Sequence, residues 1–200
     1  MATFLTADWH LGEDRWDIMG RPFTDPQEHV DTMVRNHNSL VKPEDTVYVV
    51  GDVLYQKADK EIYMPQIDRF NGHKILTRGN HDRPFTDEDF LNYFEEVHAE
   101  GKGIEATFGD VKCWVQHYPS LGVKSHFNIV GHVHSAFKVQ LNMLNVGVDV
   151  THFYPTPEEK VPFFLKAITE FYDADCWVAY NEINSDFYSI RGKKSNYFTK

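Results

Sequence analysis

Five short clusters of metal-binding and proton-carrying side chains punctuate the chain: Asp8-Trp9-His10, Gly51-Asp52, Gly79-Asn80-His81-Asp82, His117 and Gly131-His132-Val133-His134. Alternate residues of an extended segment point the same way, so Asp8 and His10 can face one site, as can His132 and His134. Imidazole and carboxylate together suit zinc, manganese, iron or nickel, whereas calcium and magnesium prefer oxygen alone. Asp8, His10, Asp52, Asn80, His117, His132 and His134 make seven candidate ligands. That is too many for one tetrahedral ion and suits two ions that share a carboxylate. Asp52 is the natural bridge, because its neighbours divide into two sets. No cluster is strong alone. An isolated D-x-H arises by chance, Gly-Asp after a strand is usually a turn or cap, and a lone His before Tyr-Pro is more often packing. Their joint occurrence carries the reading.

The elements around the clusters explain how they would meet. Thr3 to Ala7 reads as a buried strand ending at Asp8, and Thr46 to Val50 as a second, stopped by Gly51-Asp52. Lys74 to Thr77 reads as a third, stopped by Gly79-Asn80. A helix opens between the first two, with Asp25 as cap and Pro26 at its first position. Another is expected over Asp59 to Phe70 despite Pro65. Each unit thus ends in a polar cluster at the carboxyl end of a strand, where ligand sites of α/β sheets gather. The second half is richer in strands. Gly103 to Phe108 and Val111 to Gln116 read as a hairpin turning at Gly109-Asp110. Asn128 to Val130, Ala136 to Gln140 and Leu144 to Val150 read as further strands. Thr156-Pro157-Glu158-Glu159 has the form of a helix start. After Ala174 the chain is aromatic and polar, with added strands expected at Cys176 to Tyr180 and Phe187 to Ile190. The fold class expected is α/β: two packed sheets flanked by helices.

Composition narrows the function. With 200 residues the chain can bury one substantial core. A hydrophobic share of 42% with 15 Phe and 10 Tyr is that of a globular protein. The formal net charge of −10 repels a nucleic-acid backbone over most of the surface, so long nucleic acid is a less favoured partner. Bound cations would reverse that locally. Cys113 and Cys176 have neither zinc-knuckle nor redox spacing and read as free thiols. No secretory signal and no membrane span is visible, and a cytoplasmic protein with no membrane partner is expected.

In this order, the clusters resemble the calcineurin-like metallophosphoesterase family, whose pattern is D-x-H, G-D, G-N-H-D/E, a lone H, then G-H-x-H. The match runs from Asp8 to His134. Arg21-Pro22-Phe23, His117-Tyr118-Pro119 and Asn145-Val146-Gly147-Val148-Asp149 are similar to segments of its small, often phage-encoded members. Those relatives often carry Phe-Gly-His after the first ligand pair, where this chain has Leu11-Gly12-Glu13-Asp14. The resemblance implies two mixed sheets in an αββα sandwich, with residues 1–173 forming the phosphoesterase domain and 174–200 an extension packing on it. It implies one metal on Asp8, His10, Asp52 and His134, and a second on Asp52, Asn80, His117 and His132. The ions would be divalent transition metals: manganese first, with iron, zinc, nickel or cobalt as alternatives. It further implies in-line attack on phosphorus by a metal-bridging hydroxide, with His81, which is not a ligand in the family, as general acid.

Asp82 is read either as a carboxylate orienting His81 or as a turn cap, and Arg21 either as a phosphate contact or as a structural anchor. Arg83 and Tyr118 are candidate substrate contacts, Tyr118 with packing as the commoner role. Trp9 should turn into the core. Asp149 is read as support for a ligand or as a strand end. The function expected is a phosphodiesterase acting on a small nucleotide-like ester, possible as a homo-oligomer. The alternatives are a phosphomonoesterase, a nuclease, or a non-catalytic scaffold; the complete ligand set with His81 favours an enzyme.

Overall fold

The computed structural model describes residues 1–171; the strands expected at Cys176 to Tyr180 and Phe187 to Ile190, and the extension over 174–200, lie outside them. Strand β1 (Thr3–Thr6) leads to a short helix α1 (Trp16–Met19) and to α2 (Pro26–Asn38). The Asp25 carboxylate caps α2 by accepting the N–H groups of Gln27 and Glu28, as expected. Next come β2 (Thr46–Val49), α3 (Lys60–Tyr63), β3 (His73–Thr77), α4 (Asp87–Leu91) and β4 (Glu96–His98). The hairpin of β5 (Ile104–Phe108) and β6 (Val111–Val115) turns at Gly109, whose φ of 61° glycine adopts without strain. Then follow β7 (Phe127–Val130), β8 (Val139–Gln140), β9 (Met143–Asn145), β10 (Thr156–Pro157) and α5 (Lys160–Lys166).

The strands form two mixed five-stranded sheets, in the orders β10-β1-β2-β3-β4 and β5-β6-β7-β9-β8. In the first, β1 to β4 are parallel and β10 is antiparallel at the edge. In the second, β6, β7 and β9 are parallel and β5 and β8 antiparallel. Successive residues of β1 serve different layers. Phe4 packs with Val47, Val49, Val30, Met33 and Phe70, beneath α2. Leu5 packs with Val50, Val115, Ile129 and Leu144, between the sheets. The first sheet is therefore buried on both faces, which is why its strands read as continuous apolar runs. Flanking helices complete the expected α/β architecture.

Several elements differ from expectation. The helix over Asp59 to Phe70 ends at Tyr63, and Met64–Arg69 continue as a 3-10 helix. Pro65 has no N–H for an α-helical bond, so the tighter turn takes over. Thr156-Pro157 does not start a helix. It pairs with Leu5 and Phe4 of β1, an edge position that tolerates proline, and α5 begins at Lys160. His134–Ala136 and Val148–Val150 are 3-10 turns where strand was expected. α4 and β4 are additions to the expected elements, and Thr86 and Asp89 form a capping box at the start of α4.

Candidate metal centre

β1, β2 and β3 are parallel, so their following loops emerge together; the same holds for β6, β7 and β9. Asp8, Asp52 and Asn80 come from the first sheet, His117 and His132 from the second. The backbone stitches these loops together. The Asp8 N–H donates to Gly51 O at 3.0 Å, His10 N–H to Asp52 O at 3.0 Å, and Gly131 N–H to His117 O at 3.1 Å. A bridge between Ala7 and Gly147 joins the two sheets at the site.

The loops carry strain. Asp8, His10, Asp52, His132 and His134 have φ of 59°, 50°, 55°, 73° and 48°. Such left-handed conformations cost side-chain-bearing residues about 1–2 kcal/mol each. They are five of the eight non-glycine residues at positive φ among the described residues, so the strain gathers at the candidate ligands. Gly79 allows the close approach beneath them: a Cβ there would lie 2.2 Å from Asp52 Oδ1 and 2.7 Å from His117 Nε2.

Asp52 sits at the centre, its Oδ2 3.5 Å from His10 Nε2 and 3.3 Å from His117 Nε2. Two groups of donor atoms form around it, each within 4.8 Å: His10, Asp52 and His81, and Asp52, His117 and His132. His134 stands by the first group, its ring centre 5.0 Å from that of His10. Both oxygens of buried Asp8 accept from the His132 N–H, at 2.9 and 3.0 Å, which ties the first loop to the last. Asp8, His10, Asp52 and His117 are buried and His132 is exposed, so the centre opens to solvent on the His132 side.

The donors fit metal ions. His10 Nε2, His117 Nε2 and Asn80 Oδ1 are buried without a hydrogen-bond partner, an arrangement avoided unless something else satisfies them. The His117 Nδ1–H donates to Val50 O at 2.7 Å, which leaves the Nε2 lone pair for a metal. His134 is set in the same way by Asp149, 2.8 Å from its Nδ1. Arg21 clamps that carboxylate, with Nε 2.7 Å from Oδ1, and also donates to the backbone carbonyls of Asp8 and Trp9. Arg21 is thus the structural anchor of the first loop, and Asp149 supports a candidate ligand.

Electrostatics agree. Burial pushes Asp8 up to about 6, and burial with the nearby Asp52 charge pushes Asp82 up to about 7. Carboxylates this crowded hold their charge only against cations. Burial pushes His10 down to about 4, keeping it neutral as a ligand must be. Burial also opposes a charge on His117, but the Asp52 carboxylate 3.3 Å away prevails and raises it to about 9, so a metal at its Nε2 would displace a proton.

His81 lies among the first group, its ring centre 4.4 Å from that of His10. The Gln56 N–H points at its Nδ1 from 3.4 Å, which favours the tautomer with the proton on Nε2. Asp82 does not orient His81. Its oxygens accept the N–H groups of Asp52, Val53 and Gly79, each at 2.9 Å, because these strand-end amides are buried and need acceptors. Trp9 turns into the core and stacks on Phe70 at 4.2 Å. Arg83 and Tyr118 both bind Glu100. Sequence reading missed Arg15, Tyr55 and Glu100 beside the site, since no short motif marks them.

The family model for calcineurin-like phosphoesterases matches residues 1–179. An uncharacterised protein of Methanocaldococcus jannaschii is 26% identical over 163 residues, covering 76% of this chain and 84% of that protein. The gene 66 protein of Mycobacterium phage L5 is 32% identical over 83 residues, 41% of this chain and 40% of that protein. The crystal structure of a protein of unknown function from Aquifex aeolicus has the same fold, with a TM-score of 0.64 at 21% identity over 80% of this chain and 97% of that one. Among the described residues no helix is long and apolar enough to cross a membrane. The family match and the clustered donors support a metal-dependent phosphoesterase, and the chain belongs to the calcineurin-like phosphoesterase family.

Proposed function

We propose that the protein is a phosphodiesterase that hydrolyses a nucleotide-like ester with two divalent transition-metal ions, manganese foremost. The observation that carries this reading is the Asp52 carboxylate between two unsatisfied imidazole nitrogens, 3.5 Å from His10 and 3.3 Å from His117. Asp8, His10, Asp52 and His134 would hold one ion, and Asp52, Asn80, His117 and His132 the other. Bound ions supply positive charge to the phosphoryl oxygens and make a water acidic enough to attack at neutral pH. The chain's own contribution is to fix the donors: Val50 and Asp149 set the imidazoles, and Asp82 pins the strand ends. His81, as the imidazolium, would give a ring proton to the leaving alkoxide and return to the neutral imidazole. Burial disfavours the imidazolium and lowers its pKa from the ordinary value, which makes the charged form the stronger acid. The reading carries with it a cytoplasmic location and a small substrate.

The test is to purify the protein without chelator, count metals, and compare bis(4-nitrophenyl) phosphate with 4-nitrophenyl phosphate. Two ions per chain and faster turnover of the diester are expected. No bound metal, or no hydrolysis with added manganese, nickel, cobalt or zinc, would sink the reading; faster turnover of the monoester would make it a phosphomonoesterase.

A further inference from the structure

Glu13, which departs from the histidine of the small relatives, is fully buried at 0% exposure. Its Oε2 lies 4.0 Å from His10 Nδ1, behind the first ligand pair. A buried carboxylate is costly unless well paired. Glu13 is paired to Arg15 by a two-point fork: Nε to Oε1 at 2.8 Å and Nη2 to Oε2 at 3.0 Å. It also accepts the Arg15 backbone N–H at 3.1 Å. The guanidinium is fixed a second time, with Cζ 4.7 Å over the ring of Tyr55. That ring is 5.8 Å from the ring of His81. Tyr55 is itself held by its N–H to Leu11 O at 3.0 Å, so the whole group moves with the first ligand loop.

Arg15 nonetheless keeps 42% of its side chain exposed. The fork leaves Nη1 with no protein acceptor among the described residues. A planar cation with spare N–H donors, held rigid at the rim of a metal centre, is built to take a phosphate oxygen. It stands out in a chain of net charge −10. Its side of the site is also defined. Arg15 joins the first donor group through its two partners, Glu13 beside His10 and Tyr55 beside His81. The other rim arginine, Arg83, binds Glu100, which also takes the Tyr118 hydroxyl; the Tyr118 ring lies 4.9 Å from that of His132, in the second group.

We propose that Arg15 is a specificity-determining residue that binds a second anionic group of the substrate, carried on the leaving alcohol. This rests on the phosphodiesterase reading, with His81 as the proton donor marking the leaving-group side. The substrate class is then a short nucleotide diester with a further phosphate next to the scissile one.

The probes are pTpTp and TpT. Whichever ester oxygen leaves, the departing nucleoside of pTpTp carries a phosphate. Binding by calorimetry and steady-state hydrolysis are both measured on the protein as purified. The wild type is expected to favour pTpTp by about tenfold or more in Kd and in kcat/KM, with the difference in KM, as one charge-assisted hydrogen-bond pair supplies. Arg15→Gln brings both ratios to near one. Arg15→Lys keeps part of the preference, since it retains charge but not the fork. Arg83→Gln keeps most of it. A wild-type ratio near one, a ratio preserved in Arg15→Gln, or an equal collapse in Arg83→Gln overturns the proposal. A merely structural Arg15 would weaken both probes alike and leave their ratio. If the wild type hydrolyses neither probe, the phosphodiesterase reading fails, while the binding ratio still decides the role of Arg15.

Discussion

His134 Nδ1 lies 2.8 Å from Asp149 Oδ2, and Arg21 grips the same carboxylate from its other side, with Nε 2.7 Å from Oδ1. Burial disfavours the charge of Asp149, but His134 and Arg21 outweigh it and hold its pKa well below the carboxylate range. Through Arg21 the charge also reaches the carbonyls of Asp8 and Trp9. Asp149 therefore fixes the tautomer of one candidate ligand and the loop that carries two others.

Asp149→Asn is the direct probe of that arrangement. The amide keeps the shape but loses the charge that orients His134 and holds Arg21. Loss of such a supporting carboxylate weakens metal binding about 10–100-fold. Metal titration followed by calorimetry checks this, and unchanged affinity would refute the role.

His81→Ala separates proton donation from metal binding. A positioned general acid contributes about 10²–10⁴-fold. The loss is expected in kcat for TpT, whose leaving alkoxide needs a proton. It should be much smaller for bis(4-nitrophenyl) phosphate, whose nitrophenolate leaves without one. Metal content should stay near that of the wild type. Equal losses on the two esters, or loss of metal, would instead make His81 a ligand, which its place beside His10 and Asp52 also allows.

The strands and the ligand loops were legible because each rests on a local signal. Thr46 to Val50 is an apolar run stopped by Gly-Asp, and the G-H-x-H spacing marks the last ligand loop, although His132 and His134 meet the site through left-handed turns and not along the extended stretch expected. What was not legible depends on partners far away in sequence. Asp82 has the look of a triad carboxylate beside His81, yet its acceptors are claimed by amides of Asp52 and Val53, thirty and twenty-nine residues away. Thr156-Pro157 has the local form of a helix start, but the free edge of β1 recruits it as a strand. Arg15 looks like any surface arginine until Glu13 is seen to be buried beneath it.

Asp82→Ala tests the pinning role. Removing the carboxylate leaves three buried N–H groups unsatisfied, each at about 1–3 kcal/mol. Denaturant unfolding should show a loss of several kcal/mol together with weaker metal binding. A variant as stable as the wild type but slow in kcat would restore Asp82 to a catalytic role.

Gly79→Ala should dislodge the shared carboxylate. The added methyl would stand 2.2 Å from Asp52 Oδ1, far inside van der Waals contact, and 2.7 Å from His117 Nε2. Asp52 must shift, and both candidate ion sites depend on it. We expect loss of bound metal with the circular dichroism spectrum kept; two tightly bound ions in this variant would remove Asp52 from the bridging position.

His37 should set part of the acid limit of stability. It is buried, with its ring centre 6.0 Å from Trp9 and 5.2 Å from Phe70 and its Nε2 2.9 Å from Asn71 O. Burial pushes it down to about 4, against the Asn71 hydrogen bond and with help from the Lys74 charge. Above pH 6.5 both folded and unfolded chains hold it neutral, and its contribution to stability is constant. Between pH 6.5 and about 4 the unfolded chain binds a proton that the folded chain refuses, so stability falls as pH falls. Below about 4 both are protonated and the loss stops. The full loss is about 3 kcal/mol. Urea unfolding in the presence of chelator, which removes metal-linked protons, should show a shallower fall across that window in His37→Gln. Parallel curves for the two proteins would mean that another group governs the acid limb.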